Sequence, residues 1–150
     1  MLRRLLAPLG AAPAEVPAPL WERALSELPF ARGILGEDQG RCRDLCTHFL
    51  SSKSMAAAGG LQLTAQIQVN IAIQACLPIL NLGLRWYRGW SGIVVYPSEF
   101  VVPRRVQDEA GVVHAYQELI SGEAWEGGPV ILSWQDPGVT GSDRIFNVVI

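Results

Sequence analysis

The sequence predicts an α+β fold, with N-terminal helices followed by a small mixed sheet, and three observations carry it. Apolar residues recur at helical spacing across the middle of the N-terminal half. After Gly92 the pattern changes to short β-branched and aromatic runs. The 150-residue chain is 49% hydrophobic and 17% charged, apolar enough to bury a core and unlike a disordered chain. Helices first and strands afterwards, rather than alternating, is the α+β order.

Residues 9–20 are nearly all Ala, Pro, Gly and Val with one Glu. That composition builds no core, so residues 1–20 are expected to form a flexible tail ahead of one folded unit over residues 21–150. From Glu37 to Lys53, Cys42, Leu45, Cys46, Phe49 and Leu50 fall at i, i+3, i+4, i+7 and i+8, the stripe of an amphipathic helix. Arg41, Arg43, Asp44 and Ser51 fall on its wet side. Gly59 and Gly60 mark a turn. Thr64 then offers an N-cap to a helix carrying Ile67, Ile71, Ala75, Cys76, Ile79 and Leu80, which Pro78 is expected to bend or divide.

Gly92 to Tyr96 reads as a strand closed by Pro97, and Phe100 to Val102 as another that Pro103 stops. Val112 to Glu118 and Pro129 to Trp134 are two further strand candidates, separated by the polar, glycine-containing stretch 121–128. Phe146 to Ile150 rises into another apolar segment, where a new element is expected to begin.

Twelve basic and fourteen acidic residues give a net charge of −2, and basic residues never run longer than Arg3-Arg4 and Arg104-Arg105. Neither nucleic acid nor an anionic membrane is an expected partner. Pro8 and Gly10 cut the leading apolar run short of an export signal. Residues 67–84 are interrupted by Gln68, Asn70, Gln74, Pro78 and Asn81, so a buried helix is expected there, not a membrane span. Three cysteines, all within apolar helix-patterned segments, point to free thiols in a reducing cytoplasm.

Candidate chemistry is sparse. Cys42 and Cys46 with nearby His48 supply metal-ligand types, but both cysteines lie on the apolar stripe while His48 points elsewhere, which favours core packing over a metal site. His114 has the pKa range of an acid or base, yet no nucleophile is placed by the sequence to use it. Trp86, Trp90, Trp125 and Trp134 would suit ring stacking, but with few basic residues near them they read as core and cleft walls. The glycines at 127–128 and 138–141 lack the Lys-Ser/Thr or βαβ context of a phosphate loop.

Several segments together resemble the Mlc titration factor A family of zinc-dependent peptidases. They are Leu50-Ser-Ser-Lys53, Gly60-Leu-Gln-Leu-Thr64, the run from Ile71 to Trp86, Val94-Val-Tyr-Pro97 and Phe100-Val-Val102. Gly111-Val-Val-His114, Ser121-Gly-Glu-Ala-Trp125, the run from Gly128 to Trp134 and Phe146-Asn-Val-Val-Ile150 continue the likeness, which covers roughly residues 20–150. No single segment is specific; their order and spacing are.

The resemblance implies the N-terminal part of a zincin-type metallopeptidase fold. In the family, the segment like Phe146-Asn-Val-Val-Ile150 leads into a helix bearing His-Glu-x-x-His, whose histidines bind zinc and whose Glu activates the attacking water. A further carboxylate ligand lies downstream. This chain holds neither, so no cofactor is expected within it, zinc is expected in the complete family protein, and the chain by itself is expected to be inactive. The resemblance also suggests that Pro129, Val130, Ile131 and Leu132 form the sheet edge along which an extended peptide substrate pairs, the alternative being a plain core strand. Glu123 matches a family segment and is a candidate for a place near the active cleft, the alternative being a solvated turn carboxylate. A second expectation is a non-catalytic module that binds a glucose-responsive transcriptional repressor, as the family namesake does.

Overall fold

The computed structural model describes residues 12–98, 100–120, 122–124 and 126–134. Its residues fall into two compact units. One comprises residues up to Lys53 together with residues 65–86; the other comprises residues 54–64 together with those from Tyr87 onward.

The first unit is helical. Trp21, Ala24 and Leu25 face inward from α1 (Ala18–Glu27), and Leu28 between the helices is fully buried. A proline in the first turn of α1 and another in that of α2 (Pro29–Leu35) suit positions whose N–H groups have no helical partner. Residues of the stretch expected as a tail already belong to this unit. Val16 is buried, its N–H donates to the Thr47 hydroxyl at 3.2 Å, and its carbonyl accepts from Arg43 Nε at 2.9 Å.

The expected helix over 37–53 is α3 (Gln39–Ser52), preceded by a single 3₁₀ turn at Gly36–Asp38. Cys42, Cys46 and Phe49 are buried as the stripe predicts, and Thr47 joins them by returning its hydroxyl proton to the Arg43 carbonyl at 3.0 Å. α4 (Ala65–Cys76) begins after Thr64 and is buried all round from Val69 to Cys76. Pro78 does not bend this helix. It has no N–H to extend the ladder, the Leu77 N–H makes an i to i−4 bond to Ile73, and the chain leaves the helix in turns.

Asn70, inside this apolar helix, is fully buried, with both its amide nitrogen and its amide oxygen hydrogen-bonded. Its Nδ2 donates to Glu27 Oε2 at 2.7 Å, and its Oδ1 accepts from Gln66 Nε2 at 2.9 Å. Gln66 also donates to the Leu20 carbonyl at 3.1 Å, and Glu27 is held by Arg23 at 2.8 Å, so a polar seam stitches α1 to α4. Among the described residues no helix is long and apolar enough to cross a membrane.

The second unit carries the strands. Its main sheet is mixed, in the order β1 (Ser54–Ala57), β2 (Gly92–Tyr96), β6 (Val130–Ser133), β5 (Gly122–Ala124). β1, β2 and β6 run parallel, and β5 lies antiparallel to β6. Side chains alternate along the strands: Ile93, Val95, Val130 and Leu132 are buried on one face, while Val94, Tyr96, Ile131 and Ser133 are half-buried on the other. The turn after β1 needs its glycines. Gly59 and Gly60 adopt φ +62° and +82°, and a Cβ on Gly59 would stand 2.9 Å from Pro97 Cδ.

β3 (Phe100–Gln107) and β4 (Val113–Ile120) form a separate antiparallel ribbon, in register from Phe100 opposite Ile120 to Gln107 opposite Val113. The expected stop at Pro103 does not occur. Pro103 lies opposite Gln117 in a two-stranded ribbon, where each strand has an edge on which a missing N–H costs no ladder bond. Asp108 closes the turn, its Oδ1 accepting from the Ala110 and Val112 N–H groups at 3.0 and 2.9 Å. The expected segment at 146–150 lies outside the described residues, as do residues 1–11 of the tail, Trp125 and the glycines at 138–141.

Candidate functional site

The sheet's antiparallel end is where an extended ligand could add a strand. β6 itself is not that edge. Val130, Ile131 and Leu132 are paired on both sides, with Ile93, Val94 and Val95 of β2 and with Ala124, Glu123 and Gly122 of β5. Val130 and Leu132 are 7% and 5% exposed, and Pro129 lies exposed just ahead of the strand. Pro129–Leu132 were expected to form a sheet edge; among the described residues the last strand on that side is β5, one strand further out. Sequence reasoning missed β5 because three residues beside glycines give no period to detect.

Glu123 stands in the middle of β5, opposite Ile131, so its side chain projects on the half-buried face of the sheet. It is not the solvated carboxylate of a turn. Its side chain is only 15% exposed and takes an ion pair from Arg104 Nη1 at 2.9 Å. Arg104 Nε reaches Glu118 Oε2 on β4 at 3.0 Å, so one guanidinium holds carboxylates from the ribbon and from the sheet edge. Glu118 first, and Glu123 second, raise the guanidinium's already high proton affinity. No motif advertises this cluster, whose members lie 14 and 19 residues from Arg104 (118 − 104; 123 − 104).

Both histidines lie away from β5 in role and in partner. His48 is exposed on α3. His114, on β4, bonds Asp108 Oδ2 at 2.9 Å across the ribbon's turn, and this bond is the first cause that holds the Asp108 carboxyl below its usual range, followed by the Val112 N–H. That accounts for His114 as a turn brace. Cys42, Cys46 and Cys76 are all fully buried in the helical unit. The neighbouring Cys42 and Cys76 thiols, reinforced by burial, push the Cys46 pKa far up, while the neighbouring Cys46 draws that of Cys42 down against its own burial.

Zinc does not fit the residues described. No group of three His, Cys, Asp or Glu side chains among them could hold a metal ion. His48 is followed by Phe49 and His114 by Ala115, so neither begins a His-Glu-x-x-His.

Comparison with known proteins gives this geometry a context. The family described as glucose-regulated metallo-peptidase M90 matches residues 6–150. The chain is 36% identical over 137 residues to Mlc titration factor A of Klebsiella pneumoniae (strain 342), covering 91% of this chain and 50% of that protein. It is 36% identical over 131 residues to that of Salmonella arizonae, with 87% and 52% covered. For Mlc titration factor A of Escherichia coli O9:H4 the identity is 34% over 130 residues, with 87% and 49% covered. The chain thus spans about half the length of the curated relatives it matches.

Proposed function

This chain belongs to the glucose-regulated metallo-peptidase M90 family, and on that premise we propose that it supplies the substrate-side half of a zinc-dependent peptidase of zincin type. The observation that carries the reading is the mixed sheet ending in a single antiparallel edge strand, β5. An extended peptide laid against such an edge gains main-chain hydrogen bonds, while its alternate side chains face the sheet's two sides. β6 serves the same site from one position further in: Val130, Ile131 and Leu132 hold β5 in register and back it with a buried face.

The family resemblance puts the zinc ligands and the water-activating Glu on a His-Glu-x-x-His helix in the portion of the relatives that this chain does not span. The chain's own residues bind and align the peptide; by themselves they hydrolyse nothing. Buried free cysteines suit a reducing cytoplasm.

The test is hydrolysis of an extended peptide by the protein expressed from its full coding sequence. Activity abolished by a chelator and restored by zinc is the expected outcome, and a folded, zinc-loaded protein that leaves every peptide uncut would refute the reading. The relatives' name, a titration factor for Mlc, favours a second reading: a non-catalytic module that binds a glucose-responsive transcriptional repressor. Repressor binding by the 150-residue chain, with no peptidase activity in the full protein, would establish that one instead.

A further inference from the structure

β5 is a weakly held strand for the task given to it. It has three residues, and its ladder partner is β6, through Gly122 to Leu132, Glu123 to Ile131 and Ala124 to Val130. Short edge segments open at low free energy, and an edge that wanders cannot template a peptide. The β3–β4 ribbon is better fixed along its length, with eight consecutive register pairs.

We propose that Arg104 is a positioning residue for the peptide-pairing edge: by gripping Glu118 and Glu123 together it fixes β5 against the β3–β4 ribbon. The inference rests on the reading of β5 as the substrate edge. Glu118 follows the residue that faces Arg104 by two positions on β4, so the two lie on one face of the ribbon. Glu118 binds Nε at 3.0 Å and sets the plane of the guanidinium; Nη1 is then aimed at Glu123 at 2.9 Å. Two different nitrogens of one rigid fork are engaged, so the grip on Glu123 has direction as well as charge. A lysine would supply the charge without the direction.

The partial burial of the pair adds to the effect. Arg104 and Glu123 side chains are 35% and 15% exposed, so water competes less for Glu123 than at an open surface. Glu123 occupies the central position of β5, and holding it restrains both neighbours of the strand. Arg104 touches no reacting group; it acts through β5.

The experiment joins hydrogen exchange with steady-state kinetics on the protein expressed from its full coding sequence. Arg104→Gln is expected to speed exchange at residues 122–124 about tenfold, with β2 unchanged, because loss of the grip shifts the local opening equilibrium. With zinc bound, the same variant is expected to raise KM for an extended peptide by about tenfold and to change kcat less than twofold, the pattern of lost substrate alignment rather than lost chemistry. Arg104→Lys should fall between. The double variant Arg104→Glu with Glu123→Arg, which lets the new Arg pair with both carboxylates, should recover protection and KM.

Unchanged exchange at β5 in Arg104→Gln overturns the proposal, as does a loosened β5 with an unchanged KM. If Arg104→Gln loses protection at β2 as well, Arg104→Lys decides: wild-type exchange at β5 in that variant overturns directional positioning. A protein that cuts no peptide refutes the peptidase reading, while the exchange measurements still decide whether Arg104 anchors β5.

Discussion

Asn70 shows what a single residue in this chain can and cannot announce. In the sequence it interrupts an apolar run and so argues against a membrane span, a reading that needs only its polarity. Its partners, Glu27 and Gln66, stand 43 and 4 residues away. The nearer could be guessed from helical spacing; the farther depends on how α1 meets α4, which no local pattern encodes. Asn70→Ala is expected to lower stability by about 1–3 kcal/mol, because it takes from Glu27 and Gln66 the amide that links them in a part-buried seam. Urea denaturation measures it, and a loss under 0.5 kcal/mol would mean that water replaces the amide. Phe49, fully buried, was legible from the α3 stripe. Phe49→Ala should cost about 3–5 kcal/mol on the same assay, the range for emptying an aromatic site in a core.

At the scale of elements, the sequence was most informative where a period had room to repeat. α3 and β2 fall where the spacing put them, and Gly59-Gly60 turns where two glycines invite it. α1 was not anticipated although Trp21, Ala24, Leu25 and Leu28 keep helical spacing, and the tail expected through residue 20 takes in its first three residues. β1 and β5, four and three residues long, are held by their partners and carry no signal of their own. Pro103 misled because proline stops a central strand but not an edge. The ribbon's turn makes a prediction of its own. Its bonds depress the Asp108 pKa from the ordinary 3.8, so the stabilisation is complete above that pH and is lost as acid carries the solution down through the lowered value. The Ala110 and Val112 amide signals should shift together below about pH 4, and Asp108→Ala should abolish that shift. Amides that titrate unchanged in Asp108→Ala would assign the effect elsewhere.

For the whole molecule, the α+β class was readable from helices preceding strands, and the family from segments in order. Which strand ends the described sheet was not, because a strand's place in a sheet is set by which strands flank it, and β6 gained a neighbour from a stretch that looked like a linker. The interleaving of the two units was equally hidden. Residues 54–64 belong with the strands although the helical unit holds the chain on both sides of them. A version ending at Trp86 would keep every α-helix of the described residues and leave β1 without β2. Far-UV circular dichroism should then show the helices, while light scattering reports association through the bare strand. A monodisperse monomer would mean that β1 needs no partner.

That strand also sets a timetable for biogenesis. β1 pairs first with Gly92, 38 residues after Ser54 (92 − 54), so it leaves the ribosome well ahead of its template. At about 5–20 residues per second the wait is roughly 2–8 s, during which helix α4 emerges and the strand stays open to other nascent chains. Slow codons translated between the emergence of β1 and that of β2 would lengthen that exposure, so the gene is expected to be least tolerant of translational pausing there.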